Sequence, residues 1–136
     1  MKTMRKTIRA VTIGAVILAG FSLEAQEHSA KREAVTIALD CGGGNCQLLK
    51  GAPQTSGMWA GSVRLKPGES VGWHSTRESQ EALVILRGKG AASIEGHSDV
   101  PLQERTLAYI PPATNHNVTN TGTEILEYVW LAAPTK

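Results

Sequence analysis

Apolar and polar residues alternate with a period of two along most of this chain, in runs of four to eight residues broken by Gly, Pro, Asn and Ser. The pattern predicts strands at Val35 to Leu39, Met58 to Leu65, Ser70 to His74, Ala82 to Arg87, Ala91 to Glu95, Leu107 to Ile110, His116 to Asn120 and Glu124 to Leu131. Between them, Lys66-Pro67-Gly68, Arg87-Gly88-Lys89-Gly90, Glu95-Gly96-His97 and Asn120-Thr121-Gly122 supply residues that tolerate or require turn geometry. No long amphipathic helix interrupts the series. Eight or more short antiparallel strands imply an all-β protein, with a double-sheet jelly-roll barrel as the architecture that closes them around one core.

The N-terminus departs from this alternation. Lys2, Arg5, Lys6 and Arg9 precede an uncharged apolar run from Ala10 to Leu23, the order of charge and hydrophobicity found in an export signal. Fourteen residues are short for a bilayer span, so no stable membrane anchor is expected. Cleavage after Ala25 makes residues 1–25 a signal peptide and places the mature protein in the periplasm or outside the cell. Phe21 stands where a lipidated cysteine would be needed, which argues against a lipoprotein. The remainder reads as one domain: an N-terminal extension, 26–57, carrying a cysteine loop and the first strand, followed by a barrel over 58–136.

Without the signal, the chain keeps ten of its fourteen basic and eleven of its twelve acidic residues, a net charge of −1. The basicity of the whole chain therefore belongs to the signal, and the clustered positive face that nucleic acid requires is missing. Cys41 and Cys46 flank Gly42, Gly43, Gly44 and Asn45, a flexible loop able to bring both sulfurs together in an oxidising compartment. A local disulfide is expected, since two thiolates alone do not complete a structural zinc site.

One segment concentrates chemistry. From Gly68 the chain runs five residues to His74, one to Thr76, four to Glu81 and six to Gly88. This spacing resembles the first motif of the cupins, except that Thr76 stands where that motif has a second histidine. The stretch from Arg105 to Asn120 resembles the second motif through Pro111, His116 and Asn120, with Arg105 and Ala113 replacing its two glycines. The resemblance extends over about Ser62 to Trp130, and the sixteen residues from Lys89 to Glu104 separate the two motifs, a short gap like that of small microbial members.

The resemblance implies a jelly roll of the RmlC-like type and one divalent metal held by His74, Glu81 and His116. Alternation makes the set physically sensible, because His74 and Thr76 share one face of a strand and Glu81 shares its face with Leu83 and Ile85. Two histidines and one carboxylate leave coordination positions open, which favours Fe(II) or Mn(II), with Zn(II) or Ni(II) as alternatives. A metal-dependent enzyme acting on a small molecule, dioxygenase-like, is the leading expectation. A non-catalytic small-molecule or sugar-binding cupin is the alternative, because Thr76 is a neutral, weak donor. Arg64 or Arg87 could instead neutralise Glu81 and make the cluster structural. Among the aromatic residues Trp59, Trp73, Tyr109, Tyr128 and Trp130, one or two are expected to meet a ligand and the rest to pack. Val84, Leu86 and the terminal strand offer a surface on which a second copy could pair.

Overall fold

A computed structural model of the protein describes residues 32–136; the expected signal peptide and the start of the 26–57 extension lie outside the described residues. Nine strands follow in order: β1 (Cys46–Lys50), β2 (Trp59–Leu65), β3 (His74–Ser75), β4 (Ser79–Arg87), β5 (Lys89–Ile94), β6 (Val100–Gln103), β7 (Leu107–Ile110), β8 (Asn115–Thr119) and β9 (Leu126–Pro134). They form two antiparallel sheets, one ordered β1-β2-β9-β4-β7 and the other β3-β8-β5-β6. No helix occurs among the described residues. The all-β jelly roll expected from the alternation is what the chain forms.

The core lies between the sheets, and the period-two pattern dictates its members. On β4 Leu83 and Ile85 point inward, on β2 Val63 and Leu65, on β9 Leu126 and Tyr128, while Ala92, Leu102 and Val118 close the cavity from the second sheet. The central pairing of β4 with β9 sets Leu83 opposite Trp130 and Ile85 opposite Tyr128, so inward residues meet inward residues along its length. On β7 the alternation buries Ala108 and Ile110 and leaves Leu107 and Tyr109 exposed on the outer face of the edge strand.

Three strand assignments differ from expectation. Val35 to Leu39 forms no strand: Val35, Ile37 and Leu39 are all exposed and the segment joins no ladder. Apolar alternation without a neighbouring strand cannot bury its face, and propensity alone does not hold a strand in water. The first strand is instead β1, whose period-two signal is broken by a register shift between Gln47 and Leu49 against β2. The strand expected over Ser70 to His74 shrinks to a bridge from Ser70 to Thr119 and the two residues of β3; between them Val71 donates to the Val118 carbonyl and Gly72 to the side chain of Asn117. A further strand, β6, was hidden by Pro101, which is tolerated because β6 is the edge of its sheet and pairs only with β5.

Turn chemistry fixes the strand ends. Gly88, between β4 and β5, has φ of 79°, and a Cβ there would fall 2.4 Å from the Ile125 carbonyl oxygen, so only glycine fits. Arg105 and Ala113, the two residues that replace glycines in the second motif, also take left-handed backbone, with φ of 65° and 55°. Asn120 is buried where the same motif closes, its amide donating to the carbonyls of Leu65 and Glu124 and its oxygen accepting from the Gly122 amide. It holds the turn. Cys41 and Cys46 form a disulfide with Cα atoms 5.5 Å apart, and no free cysteine remains among the described residues.

Candidate metal centre

Glu81 sits in β4, opposite Ile110 of β7 and Ala132 of β9, and faces inward from the five-stranded sheet. His116 faces it from β8 of the other sheet, and His74 of β3 is its direct cross-strand partner, with ring centroids 4.3 Å apart. One nitrogen or oxygen from each of the three lies within 4.8 Å of the others. Glu81 and His116 stand thirty-five positions apart in the chain, yet the two sheets close them to 3.2 Å between Oε2 and Nε2.

Both histidines are oriented by the same device. Nδ1 of His74 donates to the Gly72 carbonyl at 2.8 Å, and Nδ1 of His116 donates to the Thr114 carbonyl at 3.1 Å. A carbonyl only accepts, so the proton of each neutral ring is on Nδ1 and the lone pair is on Nε2. For His116 that lone pair faces a carboxylate oxygen. His116 is 0% and Glu81 6% exposed, and neither His116 Nε2 nor Glu81 Oε2 has a hydrogen-bond partner despite their proximity. Two buried electron-rich atoms facing each other require a cation between them, either a proton or a metal ion. Burial lowers the His116 pKa, but the Glu81 side chain and the Thr114 carbonyl outweigh it and hold it above the ordinary value. Without a metal ion, protonation of His116 Nε2 is what would satisfy the pair.

The compensating arginines fall elsewhere. Arg64 approaches Glu127 at 4.0 Å and Arg87 approaches Glu124 at 3.5 Å, both at exposed or half-exposed positions. Neither neutralises Glu81, so the structural alternative loses its counter-ion. His97 is exposed in its turn and Glu78 is exposed beside β4; neither joins the cluster.

Thr76 lines the same cavity as His74 and Glu81, although β3 ends at Ser75 and Thr76 lies in the turn that follows it. Its hydroxyl donates to the Ser79 carbonyl at 2.7 Å, and the Ser79 amide donates back to the Thr76 carbonyl, a turn that links β3 to β4. The residue at the gap in the motif therefore fastens the loop that sets His74 and Glu81 relative to each other. Towards the cavity its oxygen retains only acceptor capacity.

The cavity has a volume of about 370 Å³ and reaches solvent on the side of His74, which is exposed. Its apolar wall comes from Val63, Val71, Trp130 and Ala132. Tyr128 completes it; burial first and the Glu81 charge second push its hydroxyl well above the usual phenol range, so it is a protonated donor at neutral pH. Of the five aromatic residues singled out in the sequence, Tyr128 and Trp130 reach the cavity. Trp59, Trp73 and Tyr109 are exposed instead. The signal for the wall was the inward set of β9, Tyr128, Trp130 and Ala132 at every second position, which becomes readable only once the strand's face is known.

With fold and cluster in view, comparison with known proteins gives a consistent answer. A family profile described as "Cupin domain" matches residues 61–132, more than half of the chain. This chain is a cupin. The cupin is 30% identical over 82 residues to an oxalate-binding protein of Thermotoga maritima, covering 60% of this chain and 67% of that one. Among solved structures it resembles a predicted oxalate decarboxylase from Thermotoga maritima, at 26% identity and a TM-score of 0.60, over 66% of this chain and 78% of that one. A cupin protein from Bacteroides fragilis, 20% identical with a TM-score of 0.60 over 77% and 86% of the two chains, shares the fold.

Proposed function

We propose that this cupin binds one divalent metal ion through Nε2 of His74, a Glu81 carboxylate oxygen and Nε2 of His116, and acts as a metal-dependent enzyme on a small molecule, with dioxygenase-like chemistry favoured. The observation that supports it is the orphaned buried pair, Glu81 Oε2 and His116 Nε2, with an exposed imidazole beside them and a cavity at their side. The donor set suits Fe(II) or Mn(II), with Zn(II) or Ni(II) as alternatives. When bound, such an ion supplies Lewis acidity and, for iron, redox chemistry toward oxygen.

The chain's own part is positioning. The Gly72 and Thr114 carbonyls hold the two rings so that their lone pairs converge. The Thr76–Ser79 turn keeps the β3–β4 loop in register, and the apolar wall excludes water from one side of the cluster. The Tyr128 hydroxyl offers a proton donor to an oxygen of the ligand.

A second reading, a small-molecule or sugar-binding cupin without turnover, is favoured by one specific feature. Thr76 has its proton engaged with Ser79, so no fourth strong donor stands at the motif position and metal binding would be weaker. The relative from Thermotoga maritima, too, is called a binding protein. Metal content after anaerobic reconstitution, in the wild type and in His74→Ala, Glu81→Gln and His116→Ala, tests the metal; no stoichiometric uptake by the wild type would refute it. Oxygen consumption by the loaded protein with phenols, thiols and organic acids separates enzyme from binder. Export rests on residues 1–25 and is tested by N-terminal sequencing of the protein recovered outside the cytoplasm, where an intact Met1 would refute cleavage.

A further inference from the structure

The lining of the cavity carries information about its ligand that the metal cluster does not. No lysine or arginine is among the described residues that line it. Arg64 and Arg87 are engaged with Glu127 and Glu124. A divalent ion beside ionised Glu81 and two neutral imidazoles leaves one net positive charge. One negative charge on a ligand balances it. A second would sit uncompensated in a cavity whose wall cannot solvate it.

The wall also prescribes a body. Trp130 packs over Gly61 so closely that a Cβ on Gly61 would fall 2.5 Å from its Nε1. Gly61 and Trp130 are direct partners across the β2–β9 ladder, so the absence of a side chain at 61 makes room for the ring. With Val63, Val71 and Ala132 it forms an apolar surface beside the cluster, in a space of about 370 Å³. That volume suits a substituted ring better than a two-carbon acid, which would leave apolar wall exposed.

We propose, building on the metal reading, that the ligand of this cavity is a small, singly charged molecule with a chelating oxygen pair at one end and a planar apolar body seated against Trp130, its polar end hydrogen-bonded by Tyr128. A compact dianion is disfavoured, even though one similar protein is named for oxalate.

Three probes share a chelating head and differ in charge or body: phenylglyoxylate, pyruvate and oxalate. The protein is loaded with Co(II), its metal content is measured by elemental analysis before and after each titration, and visible absorption together with tryptophan fluorescence reports binding. Phenylglyoxylate is expected to bind at least about tenfold more tightly than pyruvate, from burial of the ring, and more tightly than oxalate. In Trp130→Leu the advantage of phenylglyoxylate over pyruvate should shrink severalfold with metal content unchanged. In Tyr128→Phe both keto acids should weaken together. Oxalate binding as tightly as phenylglyoxylate, or a ring that adds nothing in the wild type, overturns this proposal while leaving the metal site standing. Failure to take up cobalt overturns both, and the wild-type comparison decides the matter even if a variant does not fold.

Discussion

Replacing both Glu81 and His116 by leucine should make the metal-free protein more stable. The two side chains meet inside the barrel, Oε2 to Nε2 at 3.2 Å, and no third group hydrogen-bonds either atom. An unsatisfied buried polar group costs about 1–3 kcal/mol, so the pair carries about 2–6 kcal/mol of unfavourable desolvation before their mutual attraction is counted. Exchanging a buried ion pair for apolar residues of similar volume is typically neutral or stabilising by about 1–4 kcal/mol, and the cavity beside Glu81 gives a leucine room. The single change His116→Leu should do the opposite, costing about 3–5 kcal/mol because it strands a buried carboxylate. Urea denaturation in EDTA of wild type, both single variants and the double variant forms a cycle, and a rescue of His116→Leu by Glu81→Leu is its signature. Repeating it with Mn(II) at about a hundred times the dissociation constant should stabilise the wild type by about 2.7 kcal/mol and the double variant not at all. A metal-free double variant clearly less stable than the wild type, with an unchanged m-value, would show that the pair is a structural element, and the functional reading of the cluster would fail.

Three other outcomes are expected. Because the His116 pKa is raised above its ordinary value, protonated His116 stabilises the metal-free fold fully below about pH 6.5, and this contribution is lost as pH rises through the raised value. Metal affinity should run the other way, weakening as pH falls through the same value; metal titrations and urea melts between pH 5 and 9 check both, and parallel trends would refute the assignment. Ala113→Gly and Arg105→Gly should each stabilise by about 0.5–1 kcal/mol, since both residues adopt left-handed backbone that costs a side chain about 1–2 kcal/mol, offset in part by the flexibility of glycine when unfolded. Thermal melts that show both variants destabilised would count against this. Asn120→Ala should cost about 2–4 kcal/mol through the loss of its three hydrogen bonds, one fully buried and two partly buried, without altering metal stoichiometry; a loss of metal at unchanged stability would mean that Asn120 belongs to the site.

Much of the candidate site was legible in the chain because its residues sit where strand alternation and motif spacing coincide. Glu81 points inward with Leu83 and Ile85, as a period of two requires, and Thr76 joins His74 at the cavity from the turn after β3. What could not be read were relations between strands. The fate of Arg64 and Arg87 depends on which glutamate lies across the ladder or the adjoining turn, and both found partners outside the barrel. Val35 to Leu39 carries a good strand pattern and remains exposed, whereas β1, with a bulge in its register, is built into the sheet.

The sequence by itself determined the all-β class, the inward faces of most strands and the turn positions, while the three metal-ligand side chains came from its resemblance to the cupin motifs. Those features depend on residue type and on spacing along one strand or one turn, which are local. Only the tertiary structure decided that β3 and β8 bring two imidazoles side by side, tilted 55° to each other, while β4, from the opposite sheet, brings a carboxylate against one of them. It also decided that Thr76 gives its proton to Ser79, and that Trp130 lies over Gly61 to wall the cavity. Each of these depends on register and on the distance between sheets. Those quantities are set by the packing of the whole core rather than by any single segment.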